Sequence, residues 1–242
     1  MNKPLGRDNL PKRLIKMGRH LVYAEGTKTE PLYVESVKKE LAKTYGILAD
    51  QVEIHCFPAR KSKHTLELVR FAEIDVQERL RKGETIHGVW IFFDRDCFDD
   101  FDKAYLRIVD KQRQGHVSPQ GLAADENDIS WVPCYSNECF ELWVYLHFAD
   151  LHAALGREDY IPKINEFLRA KNPKAEYAKN AEGLFQFLRD NGGDIKRAIR
   201  FAKRKVETLS LHAPRPNPST GIYVFAEFFL AYIEAGESHL MR

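Results

Sequence analysis

The sequence predicts an α/β protein with a mainly parallel four-stranded sheet and flanking helices, followed by an all-helical C-terminal region. In residues 19–150, short apolar segments alternate with amphipathic segments of helical length, which is typical of a parallel sheet covered on both faces. After about Phe148 only helical segments follow. We therefore expect a basic N-terminal arm over residues 1–18, an α/β domain over 19–150 and a helical region over 151–242.

The predicted strands are short runs rich in β-branched and aromatic residues, and the predicted helices repeat apolar residues three or four positions apart. The strands are expected at 19–26, 51–58, 87–94 and 128–137. The helices between and after them are expected at 29–46, 64–84, 99–115 and 138–148. The C-terminal helices are expected at 162–172, 181–193, 194–209 and 220–236.

The composition is that of an ordinary globular protein, with 44% hydrophobic and 30% charged residues. No apolar run approaches the length of a membrane span, and the first residues lack the apolar core of a secretory signal, so we expect a cytoplasmic protein. The four cysteines form no CxxC pair, which argues against a zinc site or a disulfide framework. The net charge of +2 does not indicate a class of partner.

Two predicted strands end in carboxylates. The first ends at Glu25-Gly26, and the third runs through five apolar residues into Asp94 and Asp96. Because side chains alternate along a strand, Asp94 and Asp96 point to the same side. Ligands of open parallel sheets bind beyond the carboxyl ends of the strands. If the first and third strands are neighbours, three carboxylates meet at that edge.

Like charges in a partly dry site repel one another unless a cation lies between them. Oxygen ligands without histidine or cysteine favour Mg²⁺ or Mn²⁺, and Gly26 allows a substrate to approach the backbone closely. The alternative is that Asp94 and Asp96 are solvated turn and cap residues, since a single DxD is common. The second acidic strand end, at Glu25, favours the metal site.

Four short motifs resemble those of the RloB family. The members of that family are Toprim-like proteins of bacterial phage-defence loci. EGTKTE (25–30) resembles the family's EGxxTE, and DRD (94–96) resembles its DxD. SNECFELW (136–143) resembles SNxxFExW, and NPST (217–220) resembles a late NPST. A Glu-Gly after the first strand and a DxD after the third are also the signature of the Toprim fold, which occurs in topoisomerases, primases, recombination proteins and OLD-type nucleases.

The resemblance implies a Toprim-like sheet and a metal-dependent nuclease that acts on DNA or RNA, with tRNA among the candidates. It implies that Glu25 is catalytic, as a general base or a further metal ligand, and that Asp94 and Asp96 bind Mg²⁺ or Mn²⁺. Family members are often encoded beside an ATPase that controls them. A partner ATPase and a role in phage defence by abortive infection are therefore implied as well.

Three groups of basic residues are candidate nucleic-acid contacts. One residue precedes the first predicted helix, whose N-terminus attracts anions. A second group follows the second strand, at the same sheet edge as the acids. A third group recurs at helical spacing opposite apolar residues, as on a helix that binds phosphates. A solvated surface is the alternative for each. The candidates are Lys28; Arg60, Lys61 and Lys63; and Lys196, Arg200 and Arg204.

Glu141 is a possible additional acid of the site. It lies in a segment that is apolar nearly all round, so we expect it to be partly buried and to need a partner. It either completes the metal site or pairs with a buried arginine or histidine to hold the fold, and the structural role is favoured. His147, in the same predicted helix, is expected to be a core histidine rather than a ligand.

Two other functions are weighed against the nuclease. A nucleotide-sugar transferase also carries a DxD after an apolar strand, but it has no need of Glu25-Gly26. A non-catalytic subunit with the same core would bind an ATPase or nucleic acid without cutting it. A HAD-type phosphatase is disfavoured because its DxD follows the first strand. The sequence does not predict the substrate, the activating trigger or the oligomeric state.

Overall fold

The structure is a computed structural model and describes residues 18–56, 65–95, 100–114, 129–210 and 212–240. Most of the predicted basic arm lies outside the described residues. So do four predicted site residues, Arg60, Lys61, Lys63 and Asp96. Their proposed roles therefore stay predictions from the sequence.

Strands and helices alternate through the first part of the chain, as predicted. The strands are β1 (His20–Ala24), β2 (Val52–Cys56), β3 (Gly88–Asp94), β4 (Ser130–Asn137) and β5 (Ser219–Thr220). The helices are α1 (Thr29–Ala49), α2 (Thr65–Arg81), α3 (Phe101–Gln114), α4 (Glu141–Leu146), α5 (Tyr160–Lys171), α6 (Leu184–Asp190), α7 (Ile195–Val206) and α8 (Ile222–Leu240). Among these described helices, none combines the length and the apolar character that a bilayer crossing requires.

The sheet has the order β2-β1-β3-β4-β5, and its first four strands are parallel. The prediction that the first and third strands are adjacent in the sheet is therefore confirmed. In the register, Ala24 lies opposite Phe92, and the N–H of Glu25 donates to the carbonyl of Phe92 at 3.0 Å. This ladder brings Glu25 and Asp94 to the same edge of the sheet.

The prediction of four strands and an all-helical C-terminal region is wrong in one respect, because the C-terminal region contributes β5. This strand runs antiparallel to β4, with Thr220 opposite Ser136. The hydroxyl of Thr220 and the N–H of Gly221 each donate to the carbonyl of Tyr135 at 2.8 Å. A strand of two residues that depends on distant partners produces no alternating pattern in the sequence.

Apolar side chains cover both faces of the sheet, since alternate residues of β3 point to opposite sides. Trp90 and Phe92 lie in one core with α1, α4 and the C-terminal helices, in which Trp143 of α4 and Phe225 of α8 are fully buried. Ile91 packs on the other face against α2 and α3. The C-terminal helices thus share one hydrophobic core with this face of the sheet.

Candidate active site at the edge of the sheet

A cavity of about 260 Å³ lies beyond the carboxyl ends of β1 and β3. Among the described residues that line it, four carboxylates and two cations give a formal charge of −2 when all six groups are ionised. The residues that line it are Glu25, Gly26, Thr29, Glu30, Asp94, Phe140, Glu141, Arg157 and Lys179. Three predicted site residues, Glu25, Asp94 and Glu141, thus share one cavity, and their roles in metal binding and catalysis stay predictions.

The backbone of the sheet fixes the positions of Glu25 and Asp94. Glu25 follows the last residue of β1, and Asp94 is the last residue of β3, opposite Ser136 of β4. The hydroxyl of Thr65, the first residue of α2, donates to Oε1 of Glu25 at 3.4 Å. Both carboxylates are therefore attached to hydrogen-bonded strand ends rather than to long loops.

Glu30 is a site residue that the sequence reasoning missed, although the quoted motif EGTKTE ends on it. It lies in the first turn of α1 and is buried. A Cβ atom at position 26 would overlap Oε2 of Glu30, so Gly26 leaves room for this carboxylate. A negative charge near a helix N-terminus is also favoured by the helix dipole. The space beside Gly26, expected to admit a substrate, is thus partly filled by Glu30.

Glu141 is buried in the first turn of α4, and polar side chains lie close to its carboxylate. The hydroxyl of Tyr177 donates to its Oε1 at 3.4 Å, and Nζ of Lys179 lies 3.6 Å from the same atom. The expected partner was an arginine or a histidine, so that detail is wrong. Burial raises the pKa of Tyr177, and the charge of Glu141 raises it further, so the phenol remains a donor.

Arg157 is the second basic residue of the cavity, and it also escaped the sequence reasoning. It begins a 3₁₀ turn, Arg157–Asp159, and its Nη2 lies 3.5 Å from Oδ2 of Asp94, which is 63 positions earlier in the chain. Nearby, burial raises the pKa of Cys139, and the carboxylates of Glu141 and Asp94 raise it further. Cys139 is therefore a neutral thiol in this arrangement.

Contacts between β4 and the C-terminal segment bring the SN and NPST motifs together. The hydroxyls of Ser136 and Thr220 lie 3.3 Å apart. The side-chain amide of Asn137 donates to the carbonyl of Arg215 at 2.9 Å, and Arg95 donates to the same carbonyl at 3.3 Å. Motifs that are far apart in the sequence thus meet at the edge of the sheet that carries Glu25 and Asp94.

The described basic candidates lie outside the set of residues that line the cavity. Lys28 is exposed just before α1. On α7, Lys196 forms an ion pair with Glu234 at 2.6 Å, and Arg204 forms one with Asp150 at 2.7 Å. The exposed guanidinium of Arg200 lies 5.5 Å from the ring centre of Phe201. Their contact with nucleic acid stays a prediction.

The donor chemistry of the cavity fits Mg²⁺ or Mn²⁺, because its charged acceptors are carboxylate oxygens alone. Among the described residues, which do not include Asp96, no three His, Cys, Asp or Glu side chains are arranged as a metal site. Glu25 and Asp94 are the described residues that would hold such an ion. Magnesium usually keeps several waters and takes few protein ligands, so a pair of carboxylates is a reasonable core for its site.

A comparison with known families identifies the family of this chain. The model of a family described as RloB-like protein matches residues 20–228. The chain belongs to the RloB-like family. The match begins at the first residue of β1 and ends within α8, so it contains the sheet, the cavity and all four motifs. No curated protein and no solved structure matches this RloB-like chain.

Proposed function

We propose that this RloB-like protein is a nuclease with a Toprim-like core, which hydrolyses phosphodiester bonds of DNA or RNA with Mg²⁺ or Mn²⁺. The main observation in support is that Glu25 and Asp94 end neighbouring parallel strands and line one cavity in which carboxylates outnumber cations. Such an excess of negative charge is unfavourable by itself, and a divalent cation relieves it.

In this proposal Glu25, Asp94 and Asp96 would hold the ion. When bound, a divalent cation polarises a phosphodiester and lowers the pKa of a water molecule. Glu25 accepts a proton from the attacking water, or serves as a further ligand. The hydroxyl of Thr65 donates to Oε1 of Glu25 at 3.4 Å and so helps to orient this carboxylate. The half-buried position of Asp94 limits the access of bulk water.

The biological setting is proposed from the family alone. The resemblance of the four motifs supports a role in phage defence by abortive infection, in the cytoplasm, under the control of an ATPase encoded nearby. The ATPase would determine when the nuclease acts, since an unregulated nuclease is harmful to its own cell.

A second candidate is a non-catalytic subunit that binds nucleic acid or the ATPase. The two ion pairs of the cavity favour it, because Arg157 compensates Asp94 and Lys179 compensates Glu141 without a metal. In such a subunit the acids of the cavity would stabilise the fold through these ion pairs. The geometry does not support a nucleotide-sugar transferase. Such an enzyme has no role for Glu25, which lines the same cavity as Asp94.

The test is incubation of the purified protein, with and without the ATPase, with labelled DNA and with total RNA. Each reaction is run in Mg²⁺, in Mn²⁺ and in a chelator. We expect cleavage that requires the metal and disappears in Glu25→Gln and in Asp94→Asn. Cleavage that persists in the chelator or in both variants would contradict the proposal, and binding without cleavage in every reaction would favour the second candidate.

A further inference from the structure

The two cations of the cavity come from a different part of the chain than most of its acids. Glu25, Glu30 and Asp94 belong to the sheet edge and to α1. Arg157 precedes α5, and Lys179 lies between α5 and α6. The C-terminal region therefore contributes positive charge to a site whose negative charge comes largely from the sheet. The acids of the sheet edge are therefore candidates for binding a cation, and the two basic residues are candidates for binding an anion.

The backbone that carries Lys179 is fixed by side chains of two helices. The hydroxyl of Thr29, at the start of α1, donates to the carbonyl of Lys179 at 2.8 Å. Two residues earlier, the N–H of Tyr177 donates to Oδ1 of the buried Asn165 at 2.7 Å. These bonds hold an irregular segment against the cavity, so that only the side chain of Lys179 is left to change partners.

The two ion pairs of the cavity that join described residues are long, and their cations are more exposed than their anions. Arg157 lies 3.5 Å from Asp94, with side-chain exposures of 39% and 17%. Lys179 lies 3.6 Å from Glu141, with exposures of 49% and 3%. Charge-assisted hydrogen bonds are usually shorter, about 2.7–2.9 Å. Long, partly solvated pairs are weak, so these cations can exchange partners readily.

We propose that Arg157 and Lys179 are the substrate-binding cations of this site and that they take hold of the phosphate groups of a nucleic acid. The proposal rests on the proposed function, whose substrate contains phosphodiesters. With a divalent ion held by the carboxylates, Arg157 and Lys179 would be less strongly attracted to them and would be able to contact phosphate oxygens. Arginine holds two such oxygens with its planar fork, and lysine acts as a point charge.

The experiment uses the variants Arg157→Gln and Lys179→Gln, each with a matched control. Arg169→Gln removes an arginine that also lies 3.5 Å from a carboxylate, that of Glu176. Lys38→Gln removes a lysine 3.5 Å from Glu35. Neither control residue is among those that line the cavity. Two affinities are measured for each protein, one for Mn²⁺ alone by calorimetry and one for labelled nucleic acid with Ca²⁺ in place of Mg²⁺.

We expect the affinity for nucleic acid to fall and the affinity for Mn²⁺ not to fall. Loss of either cation should weaken nucleic-acid binding about tenfold or more, since a charged hydrogen bond is lost. The log–log salt slope should fall by about 0.7 for a single strand or about 0.9 for a duplex. The affinity for Mn²⁺ should stay unchanged or rise, because a positive charge leaves the site. Separate DNA and RNA titrations identify the nucleic acid, and a loss in either supports the proposal.

Two results would overturn the proposal. One is nucleic-acid affinity and salt slope equal to those of the control variants. The other is a joint loss of Mn²⁺ affinity, nucleic-acid affinity and thermal stability, which is the signature of a structural role. Failure of the proposed function looks different. In that case Glu25→Gln and Asp94→Asn leave Mn²⁺ binding unchanged and no cleavage is seen, whereas the loss of phosphate binding in the Arg157 and Lys179 variants remains measurable.

Discussion

The cavity and the surface of α7 both contain acids and cations, but acids are in excess in the first and cations in the second. In the cavity four carboxylates surround two cations, whereas on α7 several cations are paired with acids of neighbouring elements. Lys196 pairs with Glu234, and Arg204 and Lys205 both pair with Asp150. Burial alone would raise the pKa of Asp150, but these two cations lower it below its usual value. The positive charge of α7 in the sequence is therefore partly balanced by acids that are distant in the chain, whereas acids outnumber cations among the described residues that line the cavity.

The largest effect is expected from the acids of the cavity. Glu25→Gln or Asp94→Asn should lower the rate of cleavage by at least about a hundredfold, which is the lower end of what a general base contributes. The fold should be retained, because each substitution keeps the size of the side chain and removes a charge from a repulsive cluster. Cleavage rates and circular dichroism at pH 7 give the measurement.

Asp102→Asn is the matched control, since Asp102 is half exposed and lies 3.5 Å from Arg95 outside the lining of the cavity. Its cleavage rate should equal that of the wild type. Equal losses in Asp102→Asn and Asp94→Asn would remove the distinction between the cavity and the rest of the surface.

His147 lies where the two regions meet, because its carbonyl accepts from the N–H of Asp194, the N-cap of α7. Its Nδ1 lies 2.9 Å from the carbonyl of Trp143, and burial lowers its pKa from 6.5 to about 4. The unfolded chain takes up this proton first, so stability should fall as the pH drops from about 6.5 towards 4. The full loss is about 3 kcal/mol at most.

Urea unfolding at pH 7 and at pH 4.5 measures this loss, and His147→Gln supplies the comparison. The variant should show a weaker dependence on pH than the wild type. The same dependence in both proteins would mean that His147 is not the group responsible. The position agrees with the expectation of a core histidine rather than a metal ligand.

A smaller effect on stability is expected for Glu141. Glu141→Ala leaves the buried hydroxyl of Tyr177 without its acceptor, which should cost about 1–3 kcal/mol. The double variant with Tyr177→Phe should recover part of that loss, and Glu176→Ala on the exposed surface is the control. If Glu141→Ala instead lowers Mn²⁺ affinity with no loss of stability, Glu141 belongs to the metal site and its structural role is wrong.

The smallest effect is expected on α7. From the sequence alone, Arg200→Gln combined with Arg204→Gln should flatten the salt slope of binding by roughly 1.5 units. Because Asp150 already pairs with Arg204, we expect a change below about 0.7 units. Binding titrations at several salt concentrations decide between these values. A change near 1.5 units would mean that α7 binds nucleic acid. The distinction drawn between α7 and the cavity would then be wrong.

The parts of the structure that follow from regular geometry could be predicted from the sequence. Glu25 and Asp94 converge because neighbouring parallel strands end at a common edge of the sheet. The buried face of α7 also follows its spacing, since Ala198 and Ala202 are fully buried. These features depend on short-range periodicity, which a single sequence displays.

The remaining features depend on contacts between distant segments. Arg157 and Lys179 lie in irregular segments, and nothing in their local sequence distinguishes them from other surface cations. Strand β5 is too short to show alternation, and the acid that pairs with Lys196 lies on α8. Such contacts cannot be predicted from the spacing of residues in the sequence, because they are determined by the packing of distant segments in the folded chain.

The most direct test of the central claim is the location of a bound metal. Crystals of the protein grown with Mn²⁺ would be measured at a wavelength where manganese scatters anomalously. We predict an anomalous peak in the cavity, within direct coordination distance of the carboxylates of Glu25 and Asp94, and its absence in crystals of Asp94→Asn. A cavity without a peak at saturating Mn²⁺, with the Arg157–Asp94 and Lys179–Glu141 pairs intact, would contradict the claim.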